Sequence, residues 1–345
     1  WDTMIEYASF LLVFLASFLA TRTALPFFIQ RMHVRGMIGK DMNKPGKPEV
    51  AEMGGTMVLL GFVFAVMVAL FVHSYANAFP GLDLLAVLAA MLTIVLVGIL
   101  GIVDDLVGWK KGIRQYQHAI VPLFAALPLM VLPTTIGNTG VDVPFFGFVN
   151  FGIFYALILI PLAVTGASNA TNMLAGLNGL EAGMGLLNAF ALLLVGIILG
   201  EMEVVVIMLS MIGAILAFMK FNWFPAKIFP GDSFTLMTGA AIASASIIGN
   251  MEKIGLMLFA LYFVELLLKA RTKMQAESFG VLQEDGTLQS PARLGSLTHW
   301  VMRRGKFTEK QVVLILLTIQ GVVVVVTLLF FWINYSLSQV GGLRL

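Results

Sequence analysis

An all-α polytopic membrane protein with about ten transmembrane helices is the fold this sequence predicts. Three observations predict it. Of 345 residues, 59% are hydrophobic and only 12% charged, with a mean hydropathy of +0.95; soluble domains carry about 25% charge. The apolar residues fall in runs of the length needed to cross a hydrocarbon core about 30 Å thick. And 18 of the 21 Lys and Arg residues lie in alternate connections between those runs.

The first apolar run, Tyr7 to Ile29, is long enough to be a membrane anchor instead of a removed signal. It belongs to a predicted span over 4–30. Further spans are predicted at 53–75, 82–103, 118–134, 151–168, 179–200, 203–220, 234–250, 253–270 and 311–335. The fourth holds Pro122 and Pro128, which predict kinks. Alternation over Val141 to Phe146 predicts a small hairpin. The chain reads as a single integral membrane domain, 1–345, with a long cytoplasmic ninth loop at 271–310. In that loop Gln283 to Thr287 predicts a turn. Thr298 to Arg304 predicts a short amphipathic helix anchored at the interface by Trp300.

The basic residues set the orientation. The odd connections hold 18 of them; only Lys253 and Arg344 fall on the other side, and Arg22 lies in the first span, where it would snorkel or pair. The odd connections are therefore expected in the cytoplasm and both termini outside. A net charge of +2 points to no nucleic-acid partner. The absence of cysteine excludes disulfides, thiolate metal sites and cysteine nucleophiles.

Five polar clusters interrupt the apolar chain, all at expected cytoplasmic helix ends. They are Lys40 to Pro45 with Glu52; Asp104-Asp105; Asn169 to Glu181; Asn222 to Ser233; and Lys269 to Lys273. Asn169 and Asn172 share a helix face, and Gly176 and Gly179 admit close approach of a ligand. That stretch is read as the floor of a polar site. Plainer readings stand beside each cluster. Asp104 and Asp105 equally fit a solvated loop start, and Asp232 fits an N-cap. Lys269, Arg271 and Lys273 fit positive-inside anchors, and Glu265 a helix-surface partner of Lys269. Together, however, Asp104, Asp105, Asn172 and Asp232 offer the hard oxygens that suit Mg²⁺, and the cations suit phosphate. A phosphate-group enzyme acting on a cytosolic donor follows.

The order Asp-Asp, Asn-x-x-Asn-x-Leu-Ala-Gly-x-Asn-Gly-Leu-Glu, Pro-Gly-Asp-Ser resembles the polyprenyl-phosphate N-acetylhexosamine-1-phosphate transferases. The likeness is closest to the archaeal and eukaryotic dolichyl-phosphate N-acetylglucosamine-phosphotransferase branch, and it covers nearly the whole chain. Gly39 to Lys44, Glu52 and Asn222 to Pro225 share it. The three-histidine motif of the muramoyl-pentapeptide transferases is missing, which argues against that substrate.

The resemblance implies roles. Asn172 and Asp232 would hold Mg²⁺, with Mn²⁺ as an alternative ion, on the donor pyrophosphate. Asn178 would face uracil; Asp41, Met42 and Glu52 would shape the uridine pocket; Asn169 would support the sugar-phosphate side. Arg271 and Lys273 would stand in for a basic ninth-loop motif, Arg271-Thr272-Lys273 here, with Lys269 beside it. The family also places a basic residue after Asp-Asp to meet the lipid phosphate. Alignment on Leu127-Pro128 puts His118 there, with Lys110, Lys111 and Arg114 nearby, and the role stays open among the four. If His118 holds it, activity falls as the imidazole deprotonates.

The implied partners are a UDP-sugar, a polyprenyl phosphate and the bilayer, and family behaviour allows a homodimer. The expected reaction is in-line attack of the lipid phosphate on the β-phosphorus of UDP-N-acetylglucosamine at the cytoplasmic face, releasing UMP. It would open lipid-linked oligosaccharide synthesis for protein N-glycosylation. The membrane would be the cell membrane in an archaeon or the endoplasmic reticulum in a eukaryote. Asp104 or Asp105 would orient the acceptor or a metal-bound water. Competing readings are a secondary transporter or flippase for a phosphorylated solute, a non-catalytic membrane scaffold, and the same chemistry with another UDP-sugar or undecaprenyl phosphate.

Overall fold

The computed structural model describes residues 2–111, 122–133, 139–143 and 147–341. Most of them are helical. In chain order the helices are α1 (Asp2–Arg35), α2 (Gly55–Ala76), α3 (Leu84–Lys111), the short α4 (Leu127–Met130), α5 (Ile160–Met173), α6 (Leu180–Leu199), α7 (Met202–Asn222), α8 (Gly231–Ile248), α9 (Glu252–Leu258), α10 (Ala260–Arg271), α11 (Leu297–Met302) and α12 (Glu309–Gly341). A π-turn, Tyr155–Leu159, leads into α5.

Among the described residues seven helices are long and apolar enough to cross a membrane: Tyr7–Arg35, Gly55–Ala76, Leu84–Val107, Tyr155–Met173, Leu180–Leu199, Met202–Asn222 and Glu309–Gln339. Their outer faces confirm the solvent they meet. On α3, Leu85, Leu92, Leu96, Ile99 and Val103 are all exposed, and their spacing places them on one helical stripe. A continuous apolar stripe turned outward fits lipid, not water. The protein is thus a polytopic helical membrane protein.

The helix α8 occupies the centre. Every residue from Ser233 to Ile248 is buried, and α8 packs against α3, α5, α2 and α7. Its Gly, Ala, Ser and Thr content reflects that position, because small residues let neighbouring backbones approach. The partner helices use the same device. A Cβ on Gly101 of α3 would lie 2.5 Å from Ser233 Cα, so glycine there permits the crossing that brings α3 to the start of α8.

Several expectations change. Two-stranded antiparallel hairpins add to the helices: β1 (Ile38–Lys40) with β2 (Glu49–Ala51), β3 (Gly140–Val143) with β4 (Gly147–Asn150), and β5 (Val281–Leu282) with β6 (Leu288–Gln289). The second matches the alternation near Val141, and the third closes on the predicted Gln283 to Thr287 turn. The first was unforeseen. Residues 253–270 are not one helix; α9 and α10 meet at Phe259. Asp104 and Asp105 do not close their span. The helix runs on to Lys111, so both acids sit inside α3. Glu265 is no surface residue: it is fully buried, 3.8 Å from Lys269 Nζ, and accepts the Leu297 N–H.

Candidate active site

The loop between α5 and α6 forms one wall of a cavity of about 300 Å³. Leu174, Leu177 and Leu180 are buried and pin the loop from beneath. Three of its backbone N–H groups are satisfied by side chains from elsewhere, as buried donors require. Gly176 donates to Glu181 Oε1 at 2.6 Å, Asn178 to Glu309 Oε1 at 2.9 Å, and Gly179 to Asn222 Oδ1 at 3.1 Å. Gly179 has φ +82° and lies against the Trp223 ring, so a side chain would meet both strain and a clash.

The opposite wall is the start of α8. The segment before it is stitched to the end of the first hairpin: Phe229 donates to Ala51 O at 2.8 Å, Gly54 to Phe229 O at 2.9 Å and Gly55 to Pro230 O at 2.8 Å. The N-terminus of α8 is capped from α3. Asp232 and Ser233 donate their backbone N–H groups to Asp105 Oδ1 and Oδ2 at 2.7 and 3.1 Å. Asp105, not Asp232, is therefore the cap, and its carboxylate complements the positive end of the helix. The Asp232 side chain, freed from capping, lies beside Asp104 and Asn172. Asn172 Oδ1 also accepts from Thr235 Oγ1 at 3.0 Å.

Asn172 and Asp232, expected to share an ion, thus line the cavity side by side. Asp41, Met42, Glu52 and Asn178 line the same cavity, and Asp104 and Asp105 stand behind Asp232. Asn169 does not line it; its Nδ2 donates to Thr165 O one turn back. Nor do the cations of the ninth loop. Lys269 is buried and donates to Ala276 O and Ser278 Oγ, while Arg271 and Lys273 are exposed. Arg114 and His118 lie outside the described residues, as does the Lys111 side chain. Thr235, Phe229 and Asn222 line the cavity without having been singled out as site residues. Asn222 and Phe229 lay within the Asn222 to Ser233 cluster; Thr235 carried no signal.

The lining is acidic: Asp41, Glu52, Glu181 and Asp232 against the lone lysine Lys40. Burial, then the Asp105 charge, raises the Glu52 pKa above the ordinary carboxylate range. Asp104 and Asp232 bring two carboxyl groups close together, a repulsion that a bound cation would relieve. Among the described residues no three His, Cys, Asp or Glu side chains gather as a metal-binding group. The donors that do meet, two carboxyls and an amide, suit Mg²⁺, which keeps waters and takes few protein ligands beside substrate phosphates.

Residues 87–250 match glycosyl transferase family 4. Among curated proteins, one from Sulfolobus acidocaldarius is 36% identical over 329 residues, 95% of this chain and 98% of its own length. It is provisionally named a UDP-N-acetylglucosamine–dolichyl-phosphate N-acetylglucosaminephosphotransferase. A protein of the same name from Saccharolobus solfataricus is 37% identical over 321 residues, 92% of this chain and 96% of its length. A phospho-N-acetylmuramoyl-pentapeptide-transferase from Clostridium botulinum is 31% identical over 250 residues, 70% of this chain and 74% of its own.

Proposed function

The chain belongs to glycosyl transferase family 4, and from that premise we propose that it transfers N-acetylglucosamine-1-phosphate from UDP-N-acetylglucosamine to dolichyl phosphate and releases UMP. The observation that carries the reading is that Asn172 and Asp232 line one acid-rich cavity side by side, with Asp104 beside Asp232. The archaeal relatives' names supply the donor and acceptor.

A diphosphate would be repelled by this cavity without a cation. Asp232 and Asn172 would hold Mg²⁺, which supplies charge neutralisation on the donor's pyrophosphate when bound. The chain's own residues do the rest. Asn178, Asp41 and Glu52 would receive the uridine end. Asp105 fixes the first turn of α8 and with it the Asp232 backbone. Asp104 would orient the acceptor. A phosphate monoester has a second pKa of about 6, so the attacking oxygen is largely ionised at neutral pH without a base. A new bond forms from that oxygen to the donor's β-phosphorus. The bond from β-phosphorus to the bridging oxygen breaks, and that oxygen leaves with UMP. Positioning and neutralisation dominate, as in other phosphoryl transfers.

The one-sided gathering of Lys and Arg supports a cytoplasmic site, with ten crossings and both termini outside. On that count α8, the α9–α10 pair and the region around α4 supply the three crossings beyond the seven apolar helices. The test uses purified protein, polyprenyl phosphate, Mg²⁺ and a panel of UDP-sugars. Release of UMP with UDP-N-acetylglucosamine is expected. Release of UDP means plain glycosyl transfer and overturns the reading.

A further inference from the structure

Behind the uridine end of the cavity lies a buried network that joins three distant parts of the chain. Lys44 Nζ donates to Asp41 Oδ2 and, at 2.8 Å, to Glu309 Oε2. Glu309 is the first residue of α12, 265 positions away from Lys44. Its other oxygen accepts the Asn178 backbone N–H. Asn178 Nδ2 donates to Asp41 Oδ2 at 3.0 Å. All four residues are buried, and Lys44 also lies 4.5 Å from the centre of the Phe224 ring.

The consequence falls on the amide of Asn178. An asparagine offers a carbonyl oxygen on one side and an NH₂ on the other, and its neighbours decide which way it points. Here the backbone is held by Glu309 and the NH₂ by Asp41. Among the described residues the carbonyl oxygen makes no hydrogen bond, so it is the acceptor left to meet a ligand. A carbonyl accepts; it pairs with an imide N–H and not with a ring nitrogen lone pair. Uracil presents an N–H at N3, whereas cytosine presents an acceptor there.

We propose that Lys44 and Glu309 are positioning residues that lock the Asn178 amide with its oxygen toward the ligand, and so select a uracil over a cytosine nucleotide. The inference rests on the reading of Asn178 as the base-contacting residue. The ammonium sits between two buried carboxylates. Without it, Asp41 and Glu309 repel each other, the grip on both ends of Asn178 slackens, and the amide can turn over. Neither Lys44 nor Glu309 is asked to touch the substrate.

The test is binding of UDP and of CDP, with Mg²⁺, to the purified protein by calorimetry. Wild type is expected to prefer UDP by about tenfold or more, because a site built around a hydrogen bond rejects the partner that leaves it unpaired. In Lys44→Met and Glu309→Ala that ratio is expected to fall toward one. Glu309→Gln keeps an acceptor for the Asn178 N–H and leaves the Lys44–Asp41 pair intact, so it restores most of the ratio. If Lys44→Met does not fold, Lys44→Met with Glu309→Gln, which removes one of the two like charges, takes its place, and its ratio is expected to fall because Asp41 has lost its cation. A merely structural role lowers both affinities together. A folded Lys44→Met or Glu309→Ala that keeps the wild-type UDP to CDP ratio overturns the proposal. Wild type that binds both nucleotides equally overturns it too, but leaves the phosphotransfer reading standing. Wild type that binds neither overturns the donor assignment and this inference with it.

Discussion

The two parts of the molecule expected to hold the donor are built in opposite ways. The inner wall, from Asn172 to Glu181 and across to the start of α8, is tied down through its backbone. Its backbone donors reach Glu181, Glu309, Asn222 and Asp105, and Asp104 lies beside Asp232. The ninth loop instead places Arg271 and Lys273 in the open, with Lys273 in a left-handed turn. Lys269, the third cation, spends its ammonium on the loop's own Ala276 and Ser278. The acid wall has its geometry fixed by packing; the basic rim contributes exposed charge. The first should govern rate and the second affinity.

The largest expected effect is on the wall. Asp232→Asn keeps the size and one hydrogen-bond acceptor but removes the charge beside Asp104 and Asn172. We expect kcat to fall by about 10²–10³-fold, the range seen when one preorganised electrostatic contact is lost, with a smaller change in donor KM. UMP release at saturating donor measures it. A variant within about threefold of wild-type kcat would remove Asp232 from the chemistry and erase the contrast between wall and rim.

Much of this wall was legible in the sequence, and the reason is local. Asn172, Asn178 and Asp232 interrupt apolar runs, and a polar residue at a helix end in lipid needs an explanation. The long-range pairings were not legible. Asp105 caps a helix that begins 126 positions later, and Glu309 reaches back to Lys44; such contacts leave no periodicity to read. The acids of α3 were also misplaced, since the helix continues past them to Lys111. Leu106 and Val107 prolong the apolar face beyond the acids. Residues 253–270 looked continuous because their composition is uniform, yet the helix breaks at Phe259.

Asp105 separates structure from chemistry within the adjacent acid pair. Asp105→Ala leaves the Asp232 and Ser233 N–H groups without their acceptors. Loss of a cap costs about 1–2 kcal/mol, so the melting temperature in detergent should fall, and kcat should fall about tenfold as the first turn of α8 loosens. Asp104→Asn should reduce kcat with the melting temperature unchanged. Equal melting temperatures for Asp105→Ala and wild type would break the capping assignment, and equal losses for both acids would break the division between them.

The smallest expected effect lies on the rim. Exposed cations attract a diphosphate through screened charge, which is weak beside a fixed contact and weaker still in salt. Arg271→Ala with Lys273→Ala should therefore raise donor KM by about three- to tenfold at low ionic strength, with kcat little changed. The difference from wild type should shrink as salt is raised from 50 to about 500 mM, because added ions take over the screening. Steady-state kinetics across that series decides the point. A kcat loss as large as that of Asp232→Asn, insensitive to salt, would mean that these side chains close onto the reacting phosphates. The rim would then belong to the same fixed machinery as the wall.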